Sequence, residues 1–302
     1  MSSQITPLSR HFCAEIKGVD IASPLDESTM REITDAFHRY SVIIFREQDI
    51  SPQDQIRFSR CFGELEVHVL KQYLLPEHPE ILVISNAVDT SGVRRGLFDF
   101  YDVDRPEWHA DYSWSRRPSL GSALYCLEAP VTGGQTMFAA SEAALDALPT
   151  ATQERILGLR AVHSLDHLNE QLRASNPAKL PLTEEQRRQA PPVTHPLVRV
   201  HPVTGRRSLF IGNMCISEVI GLEPQAGQSL VNELVAHATA QEFVYTHTWR
   251  KGDLLLWDNR STLHAGPTPY DVDRERRTMY RTTIAGDIPL AAPGPRLEGA
   301  RR

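Results

Sequence analysis

Two segments far apart in the chain, Trp108-His109-Ala110-Asp111 and Trp257-Asp258-Asn259-Arg260-Ser261-Thr262-Leu263-His264, can together supply two imidazoles and one carboxylate to a single metal ion. If they do, the fold must bring the middle of the chain and its last fifth to one point. Short β-branched, aromatic or apolar runs recur along the chain: Val42–Phe45, Ile81–Ile84, Ala123–Leu127, Ser208–Ile211 and Leu254–Trp257, all strand candidates.

Helices are fewer and are marked by their starts. Ser28 precedes Met30, Ile33 and Phe37 at helical spacing, and Ser51-Pro52 places a cap and an N1 proline before Ile56. Further helices are expected at Ser141–Leu148, Thr150–Leu157 and Pro224–Ala238. Helices early, strands thereafter and no strict βαβ alternation predict an α+β, mainly β domain with antiparallel sheets rather than a doubly wound parallel sheet. Two stretches resist assignment, Ala87–Glu107 and Asp166–Pro192, and read as substrate-covering loops. A length of 302 residues fits one large domain, with an ordered core over about 5–288 and a Pro/Gly/Arg-rich frayed tail over 289–302.

The balance of 32 Lys+Arg against 38 Asp+Glu, formally -6, provides no global basic field for nucleic acid or an anionic membrane, so any anion recognition must be local. Cys13, Cys61, Cys126 and Cys215 show no CxxC spacing, which argues for reduced thiols rather than a zinc ribbon or a disulfide framework. With no membrane-length apolar run and no signal-peptide pattern at Met1–Thr6, a cytoplasmic protein is expected.

His109 and Asp111 are two apart, so on an extended strand both side chains leave one face. Alone the pair is a weak signal, and a surface or core-edge pair is the plainer reading. His264 follows an apolar strand that ends in a turn, a common setting for a metal-binding imidazole, although a lone histidine there would read as a satisfied interior side chain. Two His and one carboxylate on one face of an octahedron leave three positions open, the ligand set of non-haem Fe(II) oxygenases. Arg277 and Arg281, four apart in a β-prone run, project from one face; unless they form a solvated cationic edge, two anionic groups must meet them. Phe98, Phe100, Tyr101, Tyr112 and Trp114 crowd the same part of the sequence and can wall a substrate. On a regular strand Tyr112 points away from His109 and Asp111, into the core.

These residues, with Gly18-Val19-Asp20, Phe45-Arg46-Glu47-Gln48, Phe58–Gly63, Gly133-Gly134-Gln135-Thr136 and Ser208–Gly212 in order along the chain, resemble the Fe(II)- and 2-oxoglutarate-dependent dioxygenases of the taurine dioxygenase and phenoxyacetate-herbicide dioxygenase (TauD/TfdA) type. The resemblance implies a double-stranded β-helix, or jelly roll, with flanking helices and the metal at its mouth. It implies that His109, Asp111 and His264 ligate Fe(II), that Thr136 and Arg277 hold 2-oxoglutarate, and that Arg281 faces the acidic group of a small anionic organic substrate. His68, Lys71 and Tyr73 fall where the family places further substrate contacts, and Phe98 joins them as a wall. O2 is the co-substrate, and a homodimer or homotetramer is expected. The chain departs from the family in a slightly longer loop between His264 and Arg277, and in Gly96–Tyr101, which matches no one substrate subgroup. A zinc-type hydrolase using the same three ligands would need a general base and no arginine pair, and a silent jelly-roll binding protein would not need three intact ligands.

Overall fold

The computed structural model describes residues 3–88, 90, 96–97, 106–175 and 180–293. Its largest sheet runs, edge to edge, through Gln4–Pro7, Ala14–Lys17, Val42–Phe45, Leu254–Asp258, Gly121–Glu128, Thr278–Ile284, His78–Ser85 and Leu74–Leu75, with Leu65–Glu66 also pairing Thr278–Ile284. These pairings are antiparallel except that of Ala14–Lys17 with Val42–Phe45. A smaller sheet pairs Thr136–Ala140 between Val244–His247 and Thr262–Ala265.

Side-chain alternation along these strands makes three apolar layers. Leu254, Leu256, Ala123 and Tyr125 face outward onto Ile33 and Phe37 of the helix Glu27–Tyr40 and Phe58 of the helix Pro52–Arg60. Leu255, Trp257, Leu124, Cys126 and Met279 face inward and meet Phe138 and Ala140 of the smaller sheet. On the far side of that sheet, Ala139, Leu263 and Ala265 meet Leu230 and Leu234 of the helix Pro224–Ala238. Burying one such Leu or Phe side chain contributes about 1.5–3 kcal/mol, so the middle layer alone fixes how the sheets face each other.

The helix beginning at Glu27 is capped by Asp26, whose side chain accepts from the Thr29 amide, rather than by Ser28. Ser51 and Asp54 form the expected cap of the next helix as a reciprocal box. The expected helices near 141–148, 150–157 and 224–238 are present as Ser141–Ala147, Thr150–Ile156 and Pro224–Ala238. The run Ser208–Ile211 pairs only over Arg207–Leu209. The expectation of a loop over Asp166–Pro192 is corrected: helices occupy Leu165–Ser175 and Glu184–Gln189, the second stopped at its N-terminus by a Thr183/Gln186 box. Most of Ala87–Glu107 and the end of the tail lie outside the described residues.

Candidate active site

Strand parity decides which polar side chains enter the space between the sheets. Met279 faces inward, so Arg277 and Arg281 share its side; Phe138 and Ala140 face inward, so Thr136 does too; Leu263 and Ala265 face outward, so His264 points in. His109 joins this set because its amide donates to the His264 carbonyl at 3.0 Å and accepts, through its own carbonyl, the His264 amide at 2.8 Å.

One ligand atom from each of His109, Asp111 and His264 lies within 4.8 Å of the others. The segment carrying the first two is not the regular strand expected from their spacing. His109 makes a single bridge and Asp111 begins a turn in which Tyr112 has φ +56°, a left-handed conformation. Tyr112 is therefore aimed otherwise than a regular strand would aim it, although it is buried as expected, at 8% exposure. Its ring stands edge-on to His68 at 5.6 Å and stacks on Trp114 at 5.0 Å.

The three side chains suit a divalent ion. His109 Nδ1 lies 2.9 Å from the Glu107 carbonyl, which fixes the proton on Nδ1 and turns the Nε2 lone pair outward. His264 is buried against His109 and Trp257, with ring centroids at 4.2 and 4.9 Å. Burial, then its neighbour His109, pushes its pKa down to about 3, so the ring is neutral and its 3.8 Å approach to Asp111 is a ligand–ligand contact rather than an ion pair. Its Nδ1 is buried without a hydrogen-bond partner among the described residues. Burial alone would push the Asp111 carboxyl up, but Arg281 and then the two imidazoles and Ser122 outweigh it and hold the carboxyl well below the usual range. A carboxylate between two imidazoles is the donor set of a transition-metal site.

Asp111 is held from three sides. Ser122 Oγ donates at 2.7 Å and Arg281 NH1 at 3.1 Å to its two oxygens. Asn259 grips the residue twice: its Oδ1 accepts from the Asp111 amide at 3.1 Å while Nδ2 reaches Oδ2 at 3.4 Å. Trp257 Nε1 and Ser119 Oγ fix that amide group in turn, each at 3.1 Å. Nothing in composition or periodicity marks Ser122 or Asn259 as supports, although Asn259 sits inside the Trp257–His264 motif.

Arg277 is almost fully buried. Its Nε donates to the Gly134 carbonyl at 2.9 Å, its NH2 lies 3.4 Å from Thr136 Oγ1, and its own amide is held by Asn86 Oδ1 at 2.9 Å. Trp249 Nε1 donates to the same Thr136 oxygen at 3.0 Å. The Gly133-Gly134 turn, with φ +73° and +64°, brings that carbonyl in; a Cβ at Gly134 would stand 2.4 Å from Pro130 Cγ. A buried guanidinium backed by hydroxyl and carbonyl groups, on the strand that also carries Arg281, is a carboxylate seat.

His68 is half-buried, and burial followed by Arg281 pushes its pKa down to about 4; Nδ1 accepts from the Leu70 amide at 3.1 Å. Lys71 is exposed and Tyr73 half-buried on one 3-10 turn, Lys71–Tyr73, and Phe98 lies outside the described residues.

Residues 4–283 match the model of the family described as "Taurine catabolism dioxygenase TauD, TfdA family". Over 289 residues the chain is 37% identical to the alpha-ketoglutarate-dependent 2,4-dichlorophenoxyacetate dioxygenase of Cupriavidus pinatubonensis, covering 94% of this chain and 98% of the other. Among solved structures it superimposes on a taurine dioxygenase from Burkholderia xenovorans with TM-score 0.79 and 31% identity, covering 98% and 95% of the two chains. It likewise matches AAD-2 in complex with Mn(II) and N-oxalylglycine, with TM-score 0.78 and 32% identity over 96% and 100%. The chain thus belongs to the TauD/TfdA family of 2-oxoglutarate-dependent dioxygenases.

Proposed function

We propose that this enzyme hydroxylates a C–H bond close to the acidic group of a small anionic organic substrate, an aryloxyalkanoate or a related carboxylate or sulfonate. The observation that carries the reading is the convergence on one inner face of a His109/Asp111/His264 cluster flanked by two arginines four residues apart on one strand. In this reading the two facing sheets are the jelly roll, and the three clustered side chains hold Fe(II). The relative that acts on 2,4-dichlorophenoxyacetate supports the aryloxyalkanoate class.

Iron, 2-oxoglutarate and O2 supply the oxidising chemistry, with succinate and CO2 released. The rest is positioning. Arg277, its backbone held by Asn86 and its Nε by the Gly134 carbonyl, would hold the distal carboxylate of 2-oxoglutarate, with Thr136 adding a hydroxyl. Arg281 donates to Asp111 and so stands beside the metal; an acidic group seated on it leaves its neighbouring carbon within reach of the oxidant. His68, Lys71 and Tyr73 would line the substrate side. If the oxidised carbon carries an ether or sulfonate heteroatom, the hydroxylated product falls apart; from an ordinary acid an alcohol remains. Family membership gives no support to the zinc-type hydrolase or the silent binding protein.

The test is succinate formation by Fe(II)-loaded protein with 2-oxoglutarate and O2 across sulfonates, aryloxyalkanoates, alkyl sulfates and fatty acids. Stimulation by acids, and not by their neutral amides, supports the reading. No succinate under any condition would refute it.

A further inference from the structure

We infer that Tyr112 is a second hydrogen-bond donor to the acidic group of the primary substrate, acting beside Arg281. The inference rests on the functional reading above and adds a residue to it. Arg281 already spends one N–H on Asp111, at 3.1 Å. Its Nε is buried and has no hydrogen-bond partner among the described residues. The remaining Nε and Nη2 edge can still receive a substrate acid, whose oxygens keep further lone pairs that a second donor can meet.

Tyr112 is placed to be that donor. It is 8% exposed, and its hydroxyl is buried with no hydrogen-bond partner among the described residues, a costly state for a polar group in a folded interior. The left-handed turn at φ +56° immediately after Asp111 sets its direction, and its ring lies against His68, which the functional reading places on the substrate side. Stacking on Trp114 at 5.0 Å and 26° leaves the ring little freedom. A phenol hydroxyl is protonated at neutral pH and so can donate. The strand parity that brings Arg281 inward also turns Glu66 to this side, since Leu65 packs outward near Ile284 while Glu66 pairs with Thr283. Glu66 is half-buried and its carboxyl is raised by burial.

The decisive experiment titrates phenoxyacetate into protein loaded with Mn(II) and N-oxalylglycine, a complex that cannot turn over, and follows the heat of binding for the wild type and for Tyr112→Phe. The substitution removes the hydroxyl and keeps the ring contacts. Loss of one hydrogen bond to a charged acceptor predicts roughly tenfold weaker phenoxyacetate binding. Phenoxyacetamide, of the same shape without the charge, should bind more weakly to the wild type and change less on substitution. Retained N-oxalylglycine binding by the variant shows that the fold is intact. Unchanged phenoxyacetate affinity in Tyr112→Phe, equal losses for acid and amide, or a wild-type protein that does not bind phenoxyacetate would each overturn the inference. Failure of the underlying reading shows separately, as wild-type protein that does not bind N-oxalylglycine at all.

Discussion

Asp258 and Asp111 are both buried beside the turn that joins the larger sheet to the smaller one, and their surroundings differ in one respect. Asp258 is saturated: Arg260 grips both of its oxygens, at 2.8 and 2.7 Å, its own backbone amide adds a third bond at 2.8 Å, and His201 Nε2 adds a fourth at 3.0 Å. His201 Nδ1 accepts from the Val203 and Thr204 amides, which leaves the proton on Nε2 for Asp258. Asp111 receives single bonds from Arg281 and Ser122 and a long one from Asn259, and its other neighbours are two imidazoles with lone pairs to give. A buried charge with every lone pair answered is a structural joint. One with capacity left over, facing other acceptors, is a ligand.

The comparison breaks first at Asp111. Asp111→Asn keeps the shape and removes the anionic ligand, so succinate formation should be abolished while the unfolding midpoint stays near the wild-type value; undiminished turnover would remove Asp111 from the metal set. Asp258→Asn should do the reverse. It leaves the Arg260 guanidinium buried without its counter-charge, a loss of roughly 3–5 kcal/mol by urea denaturation, with the folded fraction still binding metal at the usual stoichiometry.

Asn259 joins the two regions and should show both effects in smaller measure. Asn259→Ala takes support from the Asp111 carboxylate and amide and strands the Trp257 N–H. Metal affinity by chelator competition should fall about 10–100-fold, with about 1–3 kcal/mol of stability lost. A variant that lost stability alone would make Asn259 part of the Asp258 framework only.

The smallest effect concerns a group outside both regions. His163 is buried on Phe210 and His195 with neither ring nitrogen hydrogen-bonded, and burial pushes its pKa down to about 3. Above about pH 6.5 folded and unfolded chains both hold it neutral. Below that, the unfolded chain binds a proton that the folded one refuses. Stability is therefore lost as the pH falls from about 6.5 toward about 3, with a slope of about 1.4 kcal/mol per pH unit for one proton. His163→Leu should remove that one-proton slope from the stability profile; an unchanged slope would mean the imidazole is not the group that titrates.

The metal ligands and the arginine pair were legible because their chemistry demands particular residue types, and because strand parity, a period of two, was enough to put Arg277, Arg281 and His264 on the inner face. The direction of Tyr112 was misread for the same reason: parity was extended into a segment that makes one bridge and then turns left-handed, and no apolar pattern announces that turn. The helices at Leu165–Ser175 and Glu184–Gln189 were missed although Leu165, Leu168 and Leu172 stand at helical spacing and Thr183/Gln186 is a capping pair. Four prolines, at 177, 181, 191 and 192, give the stretch the composition of a loop. The Asn259 clamp depends on two segments meeting edge to edge, which a single sequence does not reveal.

The segment from Leu254 to Ala265, which crosses from the larger sheet to the smaller, carries the saturated carboxylate at one position, the amide that steadies Asp111 at the next, and the third imidazole five residues later. The groups assigned to the substrate come from outside it: the 68–73 segment, the turn at Tyr112 and one arginine of a neighbouring strand. Diversification can therefore redraw what this scaffold accepts while the oxidising centre is inherited unchanged, and an engineer seeking a new substrate should randomise those positions and leave the crossing segment alone.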